Sequence, residues 1–147
     1  MQLSDEWFTV LSQDDNERLI YVNGRINLDK ARKSGKYNIR IELNLPYKGD
    51  SSGMPSKEDA ILIEQIHQAL VPLIEQRGCG ILTGNHIGCD HKYWVFYVKD
   101  EKIFQEKLNE ALNDFELLPL EIECDYDPEW EEYLDMLSMR IKDSQNR

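Results

Sequence analysis

The chain has 147 residues, enough to bury one hydrophobic core without disulfide staples. Its 41% hydrophobic and 31% charged residues, with no apolar run of about 20 residues, predict a soluble globular protein and argue against a membrane-spanning one. Three cysteines do not suggest a disulfide framework, and the polar, acidic first residues do not resemble an export signal, so we expect a cytoplasmic protein.

The net charge of −11 comes from one stretch of the chain. Residues 108–139 contain eleven acidic residues and no Lys or Arg, whereas the rest holds 17 acidic and 17 basic residues. Such a surface repels nucleic-acid phosphates, so we expect no direct nucleic-acid binding and instead a basic protein segment or a cation as partner. The simpler interpretation is a solvated face that keeps the protein soluble. The predicted acidic binding surface consists of Glu121, Glu123, Asp125, Asp127, Glu129, Glu131 and Glu132.

The first half of the chain predicts a hairpin, a strand and a helix. The hairpin covers residues 1–30, with its turn at residues 14–16, because short acidic and amide side chains tolerate turn conformations. Residues 37–45 alternate apolar and polar side chains, which is typical of a strand with one buried face. After a loop rich in Gly, Ser and Pro, Ser56 begins a helix that ends near Gly78. Pro72 predicts a kink or an early end within this helix.

The second half predicts another hairpin, with strands at 80–84 and 92–98 and its turn at 85–88. A helix from Asp100, an alternating strand over 119–125 and a last helix over 127–142 follow. The element order from 37 to 125 is β-α-β-β-α-β, which predicts an α+β fold with a ferredoxin-like, split β-α-β core. We expect one domain over residues 1–147, with the N-terminal hairpin and the last helix added to this core.

Five landmarks carry a resemblance that covers nearly the whole chain. They are Trp7, the extended segment 38–44, a Gly-x-Pro-Ser segment starting at Gly53, the aromatic strand 93–97, and Asp-Pro-x-Trp-x-x-Tyr from Asp127 to Tyr133. With these the chain resembles a family of bacterial proteins, the domain of unknown function family 695. The family is similar in layout to the regulator of ribonuclease E activity, B type, an acidic ferredoxin-like domain that inhibits its enzyme by binding it. The resemblance implies binding or regulation and supplies no catalytic residues.

A cluster of His and Cys departs from the family pattern, which has an ordinary polar turn there. Cys79, His86, Cys89 and His91 are residue types that bind zinc through sulfur and nitrogen. If Cys79 and Cys89 lay on paired strands, the four side chains could approach one point. The spacing matches no standard zinc finger. The simpler interpretation is a polar hairpin tip with one buried cysteine.

A cysteine enzyme would need a base within hydrogen-bond reach of Cys79 or Cys89. Nothing in the sequence identifies a catalytic residue, so we expect a non-enzymatic protein-binding or regulatory domain that uses the acidic surface. Two alternatives remain open. One is a metal-binding protein with zinc at the His and Cys cluster, and the other is an enzyme whose pocket is assembled from distant residues.

Overall fold

The computed structural model describes residues 3–145. These residues form a mixed α/β structure with six strands and four helices. In chain order the elements are β1 (Trp7–Gln13), β2 (Leu19–Arg25), α1 (Asp29–Lys33), β3 (Ile39–Pro46), α2 (Lys57–Gln76), β4 (Gly80–Gly88), β5 (His91–Val98), α3 (Glu101–Ala111), β6 (Glu121–Tyr126) and α4 (Glu131–Gln145). Within the described part of the chain, no helix is both long enough and apolar enough to cross a membrane.

All six strands belong to one antiparallel sheet with the order β1-β2-β4-β5-β3-β6. The predicted N-terminal hairpin is present as β1 and β2, and it extends the sheet because β2 pairs with β4. The two outer strands are therefore β1 and β6, which come from opposite ends of the chain.

The first face of the sheet is covered by the two long inner helices, α2 and α3. The alternation predicted for residues 37–45 is confirmed, since Ile41 and Leu43 of β3 are fully buried on this face. Trp94 and Phe96 of β5 lie beside them, against apolar residues of α2 and α3. Ser56 caps α2 as expected by accepting a hydrogen bond from the Asp59 amide.

The expected position of the second hairpin turn is wrong, and of the two expectations at Pro72 the early end of the helix is not found. The predicted turn at 85–88 is part of β4, which continues to Gly88, and the turn consists of Cys89 and Asp90. Both turn residues have positive φ, 52° and 69°, the backbone that suits a two-residue hairpin but is uncommon outside glycine. Helix α2 does not end early at Pro72 but continues to Gln76.

The second face of the sheet is covered only in part, by α4 together with α1 and the residues that flank α1. Trp130 and Tyr133 are buried against Tyr97, with ring centroids of Trp130 and Tyr97 4.5 Å apart. The Trp130 indole donates a 2.7 Å hydrogen bond to the Tyr37 carbonyl, and the Tyr133 hydroxyl donates one of 2.6 Å to the Arg25 carbonyl. Trp130 itself has a φ of 58°, which a bulky residue keeps only when its surroundings fix it.

Asp127 holds the start of α4 in place. Its carboxylate accepts a 2.6 Å hydrogen bond from the Tyr97 hydroxyl and bonds from the amides of Glu131 and Glu132 at 2.9 and 3.2 Å. Burial opposes ionisation of this carboxyl, but these hydrogen bonds outweigh it and lower its pKa. The Asp-Pro-x-Trp-x-x-Tyr motif is therefore a structural anchor for α4.

We expect Asp127→Ala to lower the free energy of unfolding by about 3 kcal/mol, because it removes a helix cap and leaves the buried Tyr97 hydroxyl without its acceptor. Urea denaturation at neutral pH measures this. The control is Glu129→Ala, since Glu129 is exposed and should change stability by less than about 0.5 kcal/mol. Equal effects of the two substitutions would contradict the anchoring role of Asp127.

Candidate functional site

A cleft of about 300 Å³ opens on the part of the second sheet face that lies outside the contact with α4. We call it the sheet-face cleft. Its lining comes from three strands, β3, β5 and β6. The lining residues are Glu42, Asn44, His91, Tyr93, Glu121 and Glu123.

Strand pairing brings these side chains together. Asn44 of β3 lies opposite Tyr93 on one side and Glu121 on the other, and Glu42 lies opposite Glu123. Residues directly opposite each other in a sheet point to the same face, with Cβ atoms about 5 Å apart. The alternation that buries Ile41 and Leu43 therefore places Glu42 and Asn44 in the cleft.

A short chain of hydrogen bonds crosses the cleft floor. The Asn44 amide nitrogen donates to the Glu121 carboxylate at 3.2 Å, so the Asn44 amide oxygen is free to accept from His91 Nδ1 at 2.9 Å. The His91 ring stacks on Tyr93 with centroids 5.5 Å apart. These contacts fix the floor of the cleft and leave the carboxylate of Glu123 exposed at its edge.

The electrostatics of the cleft favour a cation. Arg40 pairs with Glu42 at 3.2 Å, but none of the six ion pairs among the described side chains involves an acid between Glu121 and Asp135. Burial raises the pKa of Tyr93, and the charges of Glu42, Glu121 and Glu123 raise it further. A positive group entering the cleft would therefore meet two carboxylates, those of Glu121 and Glu123, that no described cation already neutralises.

Most of the predicted acidic surface lies on the outside of the molecule. Glu121, Glu123, Asp125, Glu129, Glu131 and Glu132 are all exposed. Asp127 is 8% exposed and its carboxylate is occupied by Tyr97 and the start of α4, so it does not face a partner. We call the six exposed residues, without Asp127, the open acidic surface.

The four predicted metal ligands are not brought to one point. Cys79 directly precedes β4 and Cys89 directly follows it, so the nine-residue strand separates them by about 30 Å. His86 lies within that strand, and only His91 lies in the sheet-face cleft. Over the described residues, no three His, Cys, Asp or Glu side chains are grouped to hold a metal ion.

The Cys89 thiol is not arranged as a nucleophile. It donates a hydrogen bond to the Asp14 carboxylate at 3.2 Å. Burial raises the pKa of this thiol, and the hydrogen bond to Asp14 adds to the shift. An activated cysteine needs the opposite, a neighbour that stabilises the thiolate.

A family model described as "Family of unknown function (DUF695)" matches residues 5–138. The chain belongs to this family. The resemblance inferred from its motifs is thereby confirmed. No curated protein and no solved structure matches the chain.

Sequence reasoning missed half of the cleft in this DUF695 chain. Glu42, Asn44 and Tyr93 were not predicted as site residues, although the alternation of β3 already placed Glu42 and Asn44 on a polar face. The missing information was which strands are neighbours. The pairing of β3 with both β5 and β6 brings together three pairs of lining residues that are about 30 to 80 residues apart in the chain.

His86 is mostly buried on the second face, and its Nδ1 has no hydrogen-bond partner among the described atoms. Burial lowers its pKa to about 4, with smaller contributions from Lys92 and Arg40. As the pH falls, the His86 imidazole of the unfolded chain should take up a proton near pH 6.5, whereas in the folded chain it should do so only near pH 4. Stability that is fully present above pH 6.5 is therefore lost as the pH falls toward 4.

We expect the His86 contribution to reduce the free energy of unfolding by about 2 kcal/mol between pH 7 and pH 5. Burial also lowers the pKa of His67, so His67 changes the stability with pH in the same direction. His67 is present in both proteins, so its effect cancels in the comparison. Urea denaturation of the native chain and of His86→Gln across this range measures the difference in pH dependence. The same dependence in both proteins would show that His86 is not the group responsible.

Proposed function

We propose that this DUF695 chain is a non-enzymatic protein-binding or regulatory domain that holds a basic segment of a protein partner on its open acidic surface. The supporting observation is that the exposed acids from Glu121 to Glu132 have no ion-pair partner among the described side chains. Unneutralised like charges on one surface lower the stability of the compact state. A partner of opposite charge would relieve that cost.

The sheet-face cleft gives this surface a point of entry for a side chain. Its volume of about 300 Å³ suffices for the end of a Lys or Arg, and three of its six lining residues are glutamates. The Asn44 amide oxygen keeps a second lone pair beside its bond from His91 and can accept from a guanidinium, and the Tyr93 ring can contact a cation. Arginine fits this combination of planar acceptors and an aromatic face better than lysine does.

The proposed fold is a ferredoxin-like core formed by β3, α2, β4, β5, α3 and β6. The element order β-α-β-β-α-β and the packing of both helices on one sheet face support it. In this proposal the layout is similar to that of the regulator of ribonuclease E activity, B type, and binding to an enzyme is one form the regulation would take. The part of the opposite sheet face that α4 leaves uncovered is then the surface that remains for a partner.

A charge-matched pair of variants tests the proposed function. The surface variant is Glu121→Gln with Glu123→Gln and Asp125→Asn, and the control is Glu17→Gln with Glu58→Gln and Glu106→Gln. All six residues are exposed, so both variants change the net charge equally and should keep their fold. Only the surface variant removes charge from the proposed site.

We expect a fluorescent oligo-arginine peptide to bind the native chain and the control alike, and the surface variant about tenfold more weakly, because each lost contact contributes about 0.5 kcal/mol. Fluorescence anisotropy at about 50 and 300 mM salt measures this, and binding should weaken at the higher salt. Equal weakening in both variants would mean that the peptide senses only net charge, and the proposed function would be wrong.

A further inference from the structure

We propose that the partner binds by strand addition: an extended segment, in which Lys or Arg alternates with apolar residues, pairs with the open edge of β6 as a seventh strand. This inference rests on the proposed function and specifies how the basic segment is held. It follows from three features of β6, which are its free backbone, the chemistry of its two faces and its charge.

The backbone of β6 is bonded on one side only. It pairs with β3, and no second strand of the described chain pairs with it. The Asp127 amide donates to the Asn38 carbonyl at 2.8 Å, so by the alternation of an antiparallel ladder residues 125, 123 and 121 also bond toward β3. The amide and carbonyl groups of Ile122, Cys124 and Tyr126 therefore point to the open edge.

The two faces of β6 differ in chemistry. Glu121, Glu123 and Asp125 lie on the second face, beside the sheet-face cleft. Ile122 and Tyr126 lie on the other face and are 38% and 77% exposed, a large exposure for apolar and aromatic side chains. Every second side chain of an added strand would thus lie next to the carboxylates of β6. The side chains between them would lie next to its apolar face.

The loop before β6 extends the apolar side. A groove of about 270 Å³ is lined there by Leu112, Phe115, Leu118 and Leu120, among others, and Leu117, which also lines it, is fully exposed. This groove leads into the first residue of β6. An apolar side chain at one end of the added strand would be covered by it.

Charge decides between a basic partner and a second copy of this chain. An antiparallel β6–β6 pair about a two-fold axis would place Glu121 and Asp125 of one copy opposite the same acids of the other, with the two Glu123 side chains facing each other. Like charges directly opposite each other destabilise a strand pair. Acids on an edge strand oppose pairing with a like edge and favour a strand that carries Lys or Arg.

Backbone methylation separates strand addition from simple charge attraction. The probe is a fluorescent peptide of about eight residues in which Arg alternates with Val or Thr, a length that matches an edge strand. Two further peptides carry N-methyl groups at alternate amides, one on the even positions and one on the odd positions. Both keep every side chain and charge, but in an antiparallel pairing with Arg on the face of Glu121 and Glu123 only one set of amides can face β6.

We expect one methylated peptide to bind at least about tenfold more weakly than the other, measured by fluorescence anisotropy, because it loses the hydrogen bonds to β6. A peptide of the same composition with its Arg and Val residues in two blocks should also bind weakly. Ile122→Pro should reduce binding of the alternating peptide, since it removes an outward amide without breaking a bond to β3. Because the methylated peptides use the native chain, the test holds even if Ile122→Pro does not fold.

The outcomes distinguish the two proposals. If both methylated peptides bind equally while the surface variant still loses affinity, strand addition is wrong and the proposed function stands. If the alternating peptide binds the surface variant as well as the native chain, the proposed function fails too. If the chain alone forms a dimer that Ile122→Pro abolishes in analytical ultracentrifugation, the edge belongs to a second copy and the inference is overturned.

Discussion

The buried hydrogen bonds that fasten α4 decide which part of the second sheet face stays open. Trp130 and Tyr133 donate to main-chain carbonyls about 100 residues earlier in the chain, so the last helix is tied to the turn before β3 and to the end of β2. Buried donors of this kind are costly to leave unpaired, which fixes the helix at one place on the sheet. The part of the second face that α4 does not cover carries the sheet-face cleft.

The acids of β6 have two physical consequences that agree with each other. On an edge strand they oppose uncontrolled pairing with other strands, which is a general hazard of sheet edges. They also supply the attraction for a cation next to the cleft, because no described Lys or Arg pairs with them. A surface selected for solubility and a surface selected for a basic partner would thus use the same residues, and charge alone does not separate them. What separates them is whether binding needs the backbone of the strand as well as its charge.

Local patterns in the sequence predicted the elements well because side chains alternate strictly along a strand. The segments around Ile41 and Ile122 are strands as expected, and the acidic run contains Glu121 and Glu123 of the cleft. The features that were missed depend on contacts between residues far apart in the chain or on uncommon backbone conformations. Asp127 is buried beside Tyr97, which lies thirty residues earlier in the chain. The turn at Cys89 and Asp90 has positive φ values at two residues that are not glycine, so nothing in the sequence indicated it. Local patterns also do not predict which strands are neighbours in the sheet.

Two glycines under α4 have a consequence for how this family can vary. Gly24 and Gly84 lie beneath Met136, and a methyl group on Gly84 would come within 2.9 Å of the Met136 sulfur. A single alanine there would have to lift the helix from the sheet or displace that side chain. Neither glycine lines the cleft; together they set how closely α4 approaches strands β2 and β4. Relatives that keep both glycines would retain this close seat for the last helix, whatever side chains they carry on β6.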